Sequence, residues 1–196
     1  MAFGQPTLQT ERLALRPLVL EDARALTALA GAPEIAATTL RIPHPYPRAE
    51  ARRFIKTQES LFLSDRGATF AIEDGTTGEL YGCVGFGCEN EHRRAELGYW
   101  IGLPYWGRGY ATEAARKIVA YGFAIWKLHR ITAHHFVSNP ASGRVLEKLG
   151  MKREGLLREH FYKPGQGFRD AYLYGLLVRD WTMQQLQHPA YRHAEP

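Results

Sequence analysis

The chain has 196 residues, of which 45% are hydrophobic and 23% are charged. These proportions are typical of one globular domain with a single core. No apolar run approaches the roughly 20 residues that cross a bilayer, and the start of the sequence lacks the pattern of a signal peptide. We therefore expect one domain over residues 1–196, with a core at about 8–181 and a C-terminal tail at 182–196, in the cytoplasm and without membrane contact.

The formal net charge of +5 suits an anionic ligand or an acidic partner. The basic residues are dispersed, and neither a block of like charges nor a helix-turn-helix or zinc-finger spacing is present, so we expect no direct nucleic-acid binding. Cys83 and Cys88 are five positions apart in one predicted strand, with side chains on opposite faces. This spacing indicates two reduced, half-buried thiols without a disulfide or a shared metal.

Hydrophobic periodicity predicts eleven elements and one ordered proline-rich loop at 43–47. In chain order they are a strand at 11–18, helices at 21–30 and 48–64, strands at 69–74, 80–88 and 94–103, a helix at 112–126, a strand at 130–137, a helix at 140–149, and strands at about 152–162 and 169–178. This order predicts an α/β (α+β) fold, in which about four helices flank a mixed, mostly antiparallel sheet of about seven strands.

The segment between the strand at 94–103 and the following helix is rich in glycine. Gly107 and Gly109 precede the helix, and a loop at a helix N-terminus presents unpaired N–H groups to an anion. Glycine removes the Cβ atoms that block close approach. The loop has neither the Gly-Lys-Ser/Thr of a P-loop nor the third glycine of a dinucleotide fingerprint, because Thr112 occupies that position. A phosphate site or a plain tight turn both fit this pattern.

The segment Trp106-Gly-Arg-Gly109-Tyr-Ala111 resembles the pyrophosphate loop of the GNAT (Gcn5-related) N-acetyltransferases. The segment from Asn139 through Ser142 to Gly150 is similar to the second cofactor motif of that family. The resemblance covers about residues 8–181, and Glu96-Leu-Gly-Tyr-Trp100 places it in the RimJ/RimL-like branch. Trp106 departs from the Gln or Arg of the general motif.

The resemblance implies an acetyl-CoA site beside splayed strands, with no metal. Backbone amides from Trp106 to Thr112 would bind the pyrophosphate, the strand end at Ile101 and Leu103 would pair with the pantetheine arm, and Asn139 would bond the arm from the other side. The implied cofactor-binding residues are Ile101, Gly102, Leu103, Trp106, Gly107, Arg108, Gly109, Tyr110, Ala111, Thr112, Asn139 and Ser142.

Glu96, Ser142 and Asn139 are the catalytic candidates that the resemblance implies. Glu96 is the first choice for the base, with a pKa tuned upward by partial burial, or else it pairs with Arg94 or Arg130. Ser142 would stabilise the CoA thiolate, or else bond the backbone in the first turn of its helix. The weaker candidates are Asp170 and Glu159 for the base, and Tyr162, Tyr172 and Tyr174 for the acid.

The histidine pair His134-His135 is not expected to bind a metal, because adjacent strand residues point to opposite faces. Trp100 and Trp126 are expected in the core, and His44 and Tyr46 lie on the proline-rich loop that lines the acceptor groove in this family.

Three functions remain open. The first is acetylation of the N-terminal α-amine of a protein or peptide by direct attack in a ternary complex. An α-amine with a pKa near 8 is neutral in roughly a fifth of molecules at pH 7.4, so a modest base suffices. The second is acetylation of a small amine such as a polyamine, an amino acid or an antibiotic-like amine, and the third is a non-catalytic CoA-binding module. Exposed strand edges also make a homodimer conceivable.

Overall fold

The computed structural model describes residues 4–187. Its strands form one sheet of eight strands in the order β1-β2-β3-β4-β5-β6-β8-β7. All neighbouring strands within residues 4–187 are antiparallel except β5 and β6, which are parallel. The strands are β1 (Leu8–Gln9), β2 (Leu13–Pro17), β3 (Gly67–Asp74), β4 (Leu80–Glu89), β5 (Arg94–Ile101), β6 (Arg130–Phe136), β7 (Lys152–Lys163) and β8 (Gly167–Leu177).

Helices cover both faces of this sheet. They are α1 (Ala23–Ala30), α2 (Pro33–Thr38), α3 (Arg48–Leu63), α4 (Tyr110–Ala124), α5 (Pro140–Lys148) and α6 (Val178–Gln187). On one face, which we call the α3 face, α1 and α3 pack against Ala71 and Cys83, with Trp100 beside them. On the opposite face, the α4 face, buried side chains of α4 and α5 pack against alternate residues of the same strands, such as Val84 and Leu97.

The strands β5 and β6 part after a short parallel pairing. Only Arg94–Arg130, Ala95–Ile131 and Glu96–Thr132 are in register. Beyond these pairs β5 stays with β4 up to Ile101, while β6 stays with β8 up to Phe136. A gap therefore opens in the sheet beside Glu96, between two strands that are each held by their other neighbour.

The predicted α/β class, the mixed sheet and its splayed strands are confirmed. Three elements were not predicted: the short β1, α2, and α6, which occupies 178–187 where the tail was expected to begin at 182. Residues 188–196 of the predicted tail lie outside the described residues. The cysteines are unpaired on opposite faces as predicted, but Cys83 is fully buried rather than half-buried.

Candidate active site

The loop before α4 has the backbone of an anion-binding turn. Gly107 and Gly109 adopt left-handed φ angles of 74° and 84°, and α4 begins at Tyr110. The first backbone hydrogen bond of the helix runs from the Glu113 amide to the Gly109 carbonyl at 3.1 Å. The amides of the first turn, from Tyr110 to Thr112, consequently precede any intrahelical acceptor and point out of the N-terminus.

The Trp106 amide does not belong to this set. It donates to the carbonyl of Leu103 at 3.2 Å in a short 3-10 turn, so the predicted row of free amides starts at Gly107. The indole of Trp106 has another use, because its Nε1 donates to the carbonyl of Ile101 at 2.5 Å. A Gln or Arg at this position would lack the indole N–H and therefore its bond to the end of β5.

The end of β5 also differs from the prediction. The strand stops at Ile101 instead of 103, since the 3-10 turn starts at Leu103 and leaves this side chain 41% exposed. The Leu103 carbonyl accepts from Trp106 and cannot extend the ladder. Gly102 still pairs with β4, because its amide donates to the Tyr81 carbonyl at 2.7 Å. Pairing of Ile101 and Leu103 with an extended ligand chain stays a prediction.

Arg12 adds a positive charge to the loop that was not foreseen. Its Nη2 would lie 3.5 Å from a Cβ built on Gly109, and its Nη1 donates to the Arg108 carbonyl at 3.1 Å. Glu113, in the first turn of α4, accepts from the Arg12 amide at 2.9 Å and from its Nε at 2.7 Å. This ion pair fixes the guanidinium beside the amides, and the hydrogen bond that Arg12 donates to Glu113 raises the pKa of Arg12.

Asn139 and Ser142 lie together at the N-terminus of α5. The Asn139 Oδ1 accepts from the Ser142 amide at 3.3 Å, so Asn139 is the N-cap of the helix. The Ser142 hydroxyl is 2.8 Å from the hydroxyl of Tyr99. Tyr99 lies on β5 among the residues that pack on the α4 face, and burial raises its pKa. The pair Tyr99–Ser142 thus bridges the gap from β5 to α5.

The tyrosines chosen from the sequence lie elsewhere. Tyr162 is 61% exposed near the β7–β8 turn, and Tyr172 and Tyr174 flank the buried His135 with ring centroids 5.5 Å away. Sequence reasoning missed Tyr99, although the ordinary alternation of β5 places it on the opposite face from Glu96.

Glu96 lies on the α3 face, directly where β5 and β6 part. Its Oε1 is 3.0 Å from Nδ1 of His134, which is two residues beyond the last paired position of β6. The pairing expected with Arg94 or Arg130 is wrong, because those side chains bind Glu89 and Glu154. The expected upward shift is also wrong: the hydrogen bond from His134 lowers the pKa of Glu96, whose side chain is 53% exposed.

The remaining candidates lie on β7 and β8. The Asp170 Oδ1 accepts from the Glu159 amide at 2.7 Å, and both residues line an open pocket of about 400 Å³ with Arg158. Lys163 is buried and donates to the carbonyls of Ala36 and Thr39, which ties the end of β7 to the segment after α2. Burial lowers the pKa of this lysine.

The two histidines of the pair separate as predicted. His134 reaches Glu96, whereas His135 is buried beside Gly143, where a Cβ would lie 2.8 Å from the imidazole Nε2. Trp126 packs edge-on against Phe62 and Phe86 in the core. Within residues 4–187 no cluster of three or more His, Cys, Asp or Glu side chains has the arrangement of a metal site, and none of the described helices has the length and apolarity to cross a bilayer.

The sheet therefore separates two kinds of chemistry. Glu96 and His134 offer a proton acceptor on the α3 face, and Tyr99 and Ser142 offer hydroxyl groups on the α4 face, on the two sides of one gap. The glycine loop opens at the end of the same strand β5. Such a site is suited to group transfer between an anionic carrier and an acceptor that loses a proton.

Comparison with known proteins supports this assignment. Residues 12–152 match the family described as acetyltransferase (GNAT) domain. YoaA of Bacillus subtilis, an uncharacterised N-acetyltransferase, is 36% identical over 173 residues, 88% of this chain and 97% of that protein. The ribosomal protein uS5-alanine N-acetyltransferase of Escherichia coli is 31% identical over 115 residues, 58% of this chain and 59% of that protein.

A solved structure adds the fold. The spermidine N-acetyltransferase from Vibrio cholerae, in complex with CoA and spermine, has a TM-score of 0.75 and 26% identity, covering 88% of this chain and 99% of that chain. The family match spans more than half of the sequence, and it contains the glycine loop, the gap and both hydroxyl and carboxylate groups. The chain is an acetyltransferase and belongs to the GNAT family.

Proposed function

We propose that this enzyme transfers the acetyl group of acetyl-CoA to the N-terminal α-amine of a protein or peptide. The observation that carries the proposal is the gap between β5 and β6, with proton-accepting groups on one face and hydroxyl groups on the other. A thioester held in the gap would then meet the amine from the α3 face while its sulfur faces Ser142.

The glycine loop at residues 107–112, which we call the phosphate loop, fits the anionic end of acetyl-CoA. Gly107 and Gly109 leave the approach open, the amides from Gly107 to Thr112 supply donors, and Arg12 supplies a charge. Acetyl-CoA brings the acetyl group as a thioester, and the protein has to position it and accept the charge that develops on oxygen and sulfur. The Tyr99–Ser142 pair would donate a hydrogen bond to the departing thiolate.

The charges near the gap favour an α-amine over a polyamine. An open pocket between β7 and β8 is lined by one guanidinium, from Arg158, and two carboxylates, from Glu159 and Asp170. The charge of Arg41 also acts on Glu96. A polycation would favour a site lined by carboxylates alone, whereas a site that mixes carboxylate and guanidinium groups suits a single amine at the end of a polar chain. Similarity to an enzyme named as a ribosomal protein uS5-alanine N-acetyltransferase supports a protein acceptor.

The test is thiol release that depends on acetyl-CoA, measured with a mixed panel of acceptors. The panel contains peptides with free Ser, Ala and Met N-termini, the same peptides with a blocked N-terminus and an internal lysine, polyamines, and free amino acids. We expect turnover on the free N-termini and none on the blocked peptides. Turnover on the blocked peptides would contradict α-amine specificity.

A small-amine acetyltransferase is the second candidate, favoured by the likeness to the spermidine enzyme. Turnover confined to polyamines or amino acids would establish it. Binding of acetyl-CoA without turnover on any acceptor would favour the non-catalytic module. A homodimer stays a prediction.

A further inference from the structure

The hydrogen bond between Glu96 and His134 determines which imidazole nitrogen carries the proton. A carboxylate only accepts hydrogen bonds, and the His134 Nδ1 is 3.0 Å from Oε1 of Glu96. Nδ1 must therefore donate, and in the neutral ring Nε2 keeps its lone pair. The pair has the arrangement in which an acidic residue orients a histidine for proton abstraction.

His134 borders the gap in the sheet. The parallel pairing of β5 and β6 ends at Glu96 and Thr132, and the next residues on the same face are Gly98 and His134. A Cβ built on Gly98 would meet no heavy atom within 4 Å, so space is open opposite the imidazole. The His134 side chain is 18% exposed, which keeps one edge accessible while the strand fixes the ring.

Glu96 is the poorer base of the two. A general base works best when its pKa is close to the working pH. The hydrogen bond from His134 lowers the pKa of Glu96, which moves this carboxylate further from a neutral working pH. Donation from Nδ1 leaves the Nε2 lone pair as the acceptor of the His134 ring.

We propose that Nε2 of His134 is the general base that deprotonates the acceptor amine, and that Glu96 positions and stabilises its ring. The ammonium group gives one proton to Nε2, and the nitrogen lone pair forms the C–N bond to the thioester carbonyl. The C–S bond breaks, and the thiolate takes the second proton of the nitrogen. The imidazolium then releases its proton to water. The inference rests on the proposed function, because it needs an amine acceptor.

Other titratable groups near the pair must be considered. The His160 ring on β7 stacks on His134 with centroids 5.9 Å apart, and Phe161 contacts it edge-on at 5.5 Å. On β8 the cross-strand neighbour is the uncharged Leu173. The charges of Arg41 and His160 act on Glu96. Within residues 4–187 no hydrogen bond joins the His160 ring to a carboxylate that would fix its tautomer, so His134 is the oriented base.

The experiment compares kcat/KM against pH for the wild type and three variants with an acceptor from the panel. His134→Asn keeps a donor for Glu96 but removes Nε2. We expect its kcat/KM at pH 7 to fall by roughly 10²-fold, and the defect to shrink above pH 8, where more of the amine is already neutral. Glu96→Gln should lower kcat/KM about tenfold. It should also move the acid limb of the pH profile to lower pH, because the imidazolium loses the carboxylate that stabilises it.

The remaining variants separate the alternatives. His160→Asn should leave the acid limb in place, and the double variant His134→Asn/Glu96→Gln should be little worse than His134→Asn, because the two residues act as a unit. A larger loss in Glu96→Gln or His160→Asn than in His134→Asn would overturn the inference, as would a defect in His134→Asn that is constant across pH. Lack of wild-type turnover on every amine would instead refute the proposed function, which distinguishes the two failures.

Discussion

At the scale of single residues, Gly109 has a narrow conformational requirement. Its φ of 84° is left-handed, the residue is exposed, and a Cβ built on it would lie 3.5 Å from Nη2 of Arg12. In Gly109→Trp the indole would fill the space in front of the loop amides, so we expect the acetyl-CoA affinity measured by calorimetry to fall at least tenfold. The left-handed backbone should also cost the variant about 1–2 kcal/mol of stability.

Gly78 offers a matched control for this variant. It is exposed in the turn between β3 and β4, its φ is 72°, and a Cβ there meets nothing within 4 Å. Gly78→Trp should suffer the same strain and keep acetyl-CoA affinity unchanged. Equal affinities in the two variants would disprove the assignment of the phosphate loop.

The sequence located several site residues but not their partners. Gly107, Gly109 and Thr112 could be placed because the loop and the start of the helix are contiguous. Glu96 and His134 are 38 positions apart, and Tyr99 and Ser142 are 43 apart. These pairs depend on the register of β5 against β6 across an intervening helix, which periodicity does not reveal. The pKa of Glu96 was therefore predicted in the wrong direction.

At the scale of elements, α5 gives Asn139 a structural role that can be separated from ligand binding. Serine caps helices about as well as asparagine does. Asn139→Ser should therefore change the free energy of unfolding by less than about 0.5 kcal/mol, whereas Asn139→Ala should lose about 1 kcal/mol. Both variants lack the amide donor proposed for the pantetheine arm.

We expect the KM for acetyl-CoA to rise about fivefold in Asn139→Ser, because a bond to an uncharged partner contributes about 1 kcal/mol. Initial rates at varied acetyl-CoA and chemical denaturation of the same samples measure the two effects. If Asn139→Ser keeps the wild-type KM, Asn139 is a helix cap and nothing more.

Local physical effects explain why some elements were not predicted from the sequence. The helix α2 begins at a proline, which usually indicates the end of a helix, but Pro33 is its first residue, where a missing N–H costs nothing. The predicted last strand was extended to 178, although Val178 starts α6. Residues 103–105 form a 3-10 turn, because Pro104 cannot donate to a strand ladder. Each error concerns an end or a short element, and the strongly periodic segments were correct.

At the scale of the whole molecule, Lys163 joins parts of the fold that are distant in sequence. Its buried ammonium donates to the carbonyls of Ala36 and Thr39, and it holds the segment that leads into the proline-rich loop against β7. In Lys163→Met these carbonyls lose their donor, at about 1–3 kcal/mol for each buried unpaired group. We expect a lower Tm. We also expect the KM for the amine to rise roughly tenfold, which corresponds to a loss of about 1.4 kcal/mol in binding free energy when the loop is less ordered.

Acetyl-CoA affinity should not change in Lys163→Met, because the ammonium group binds the carbonyls of Ala36 and Thr39 and not the glycine loop before α4. Lys152→Met is the control on the same strand: Lys152 is 75% exposed and pairs loosely with Asp180 at 3.7 Å. Steady-state kinetics and thermal unfolding of both variants provide the comparison. A loss of acetyl-CoA affinity equal to the loss for the amine would show that Lys163 supports the whole fold and has no special effect on the acceptor side.

The separation of β5 and β6 affects the order in which reactants bind and products leave the enzyme. In the arrangement that we propose, the carrier and the amine approach from opposite faces of the sheet, so neither blocks the path of the other. That arrangement lets both reactants bind together, and it needs no acetylated residue of the protein to relay the group between them. Free CoA and the acetylated chain can leave independently, so a bulky protein end can dissociate while the carrier is still being exchanged.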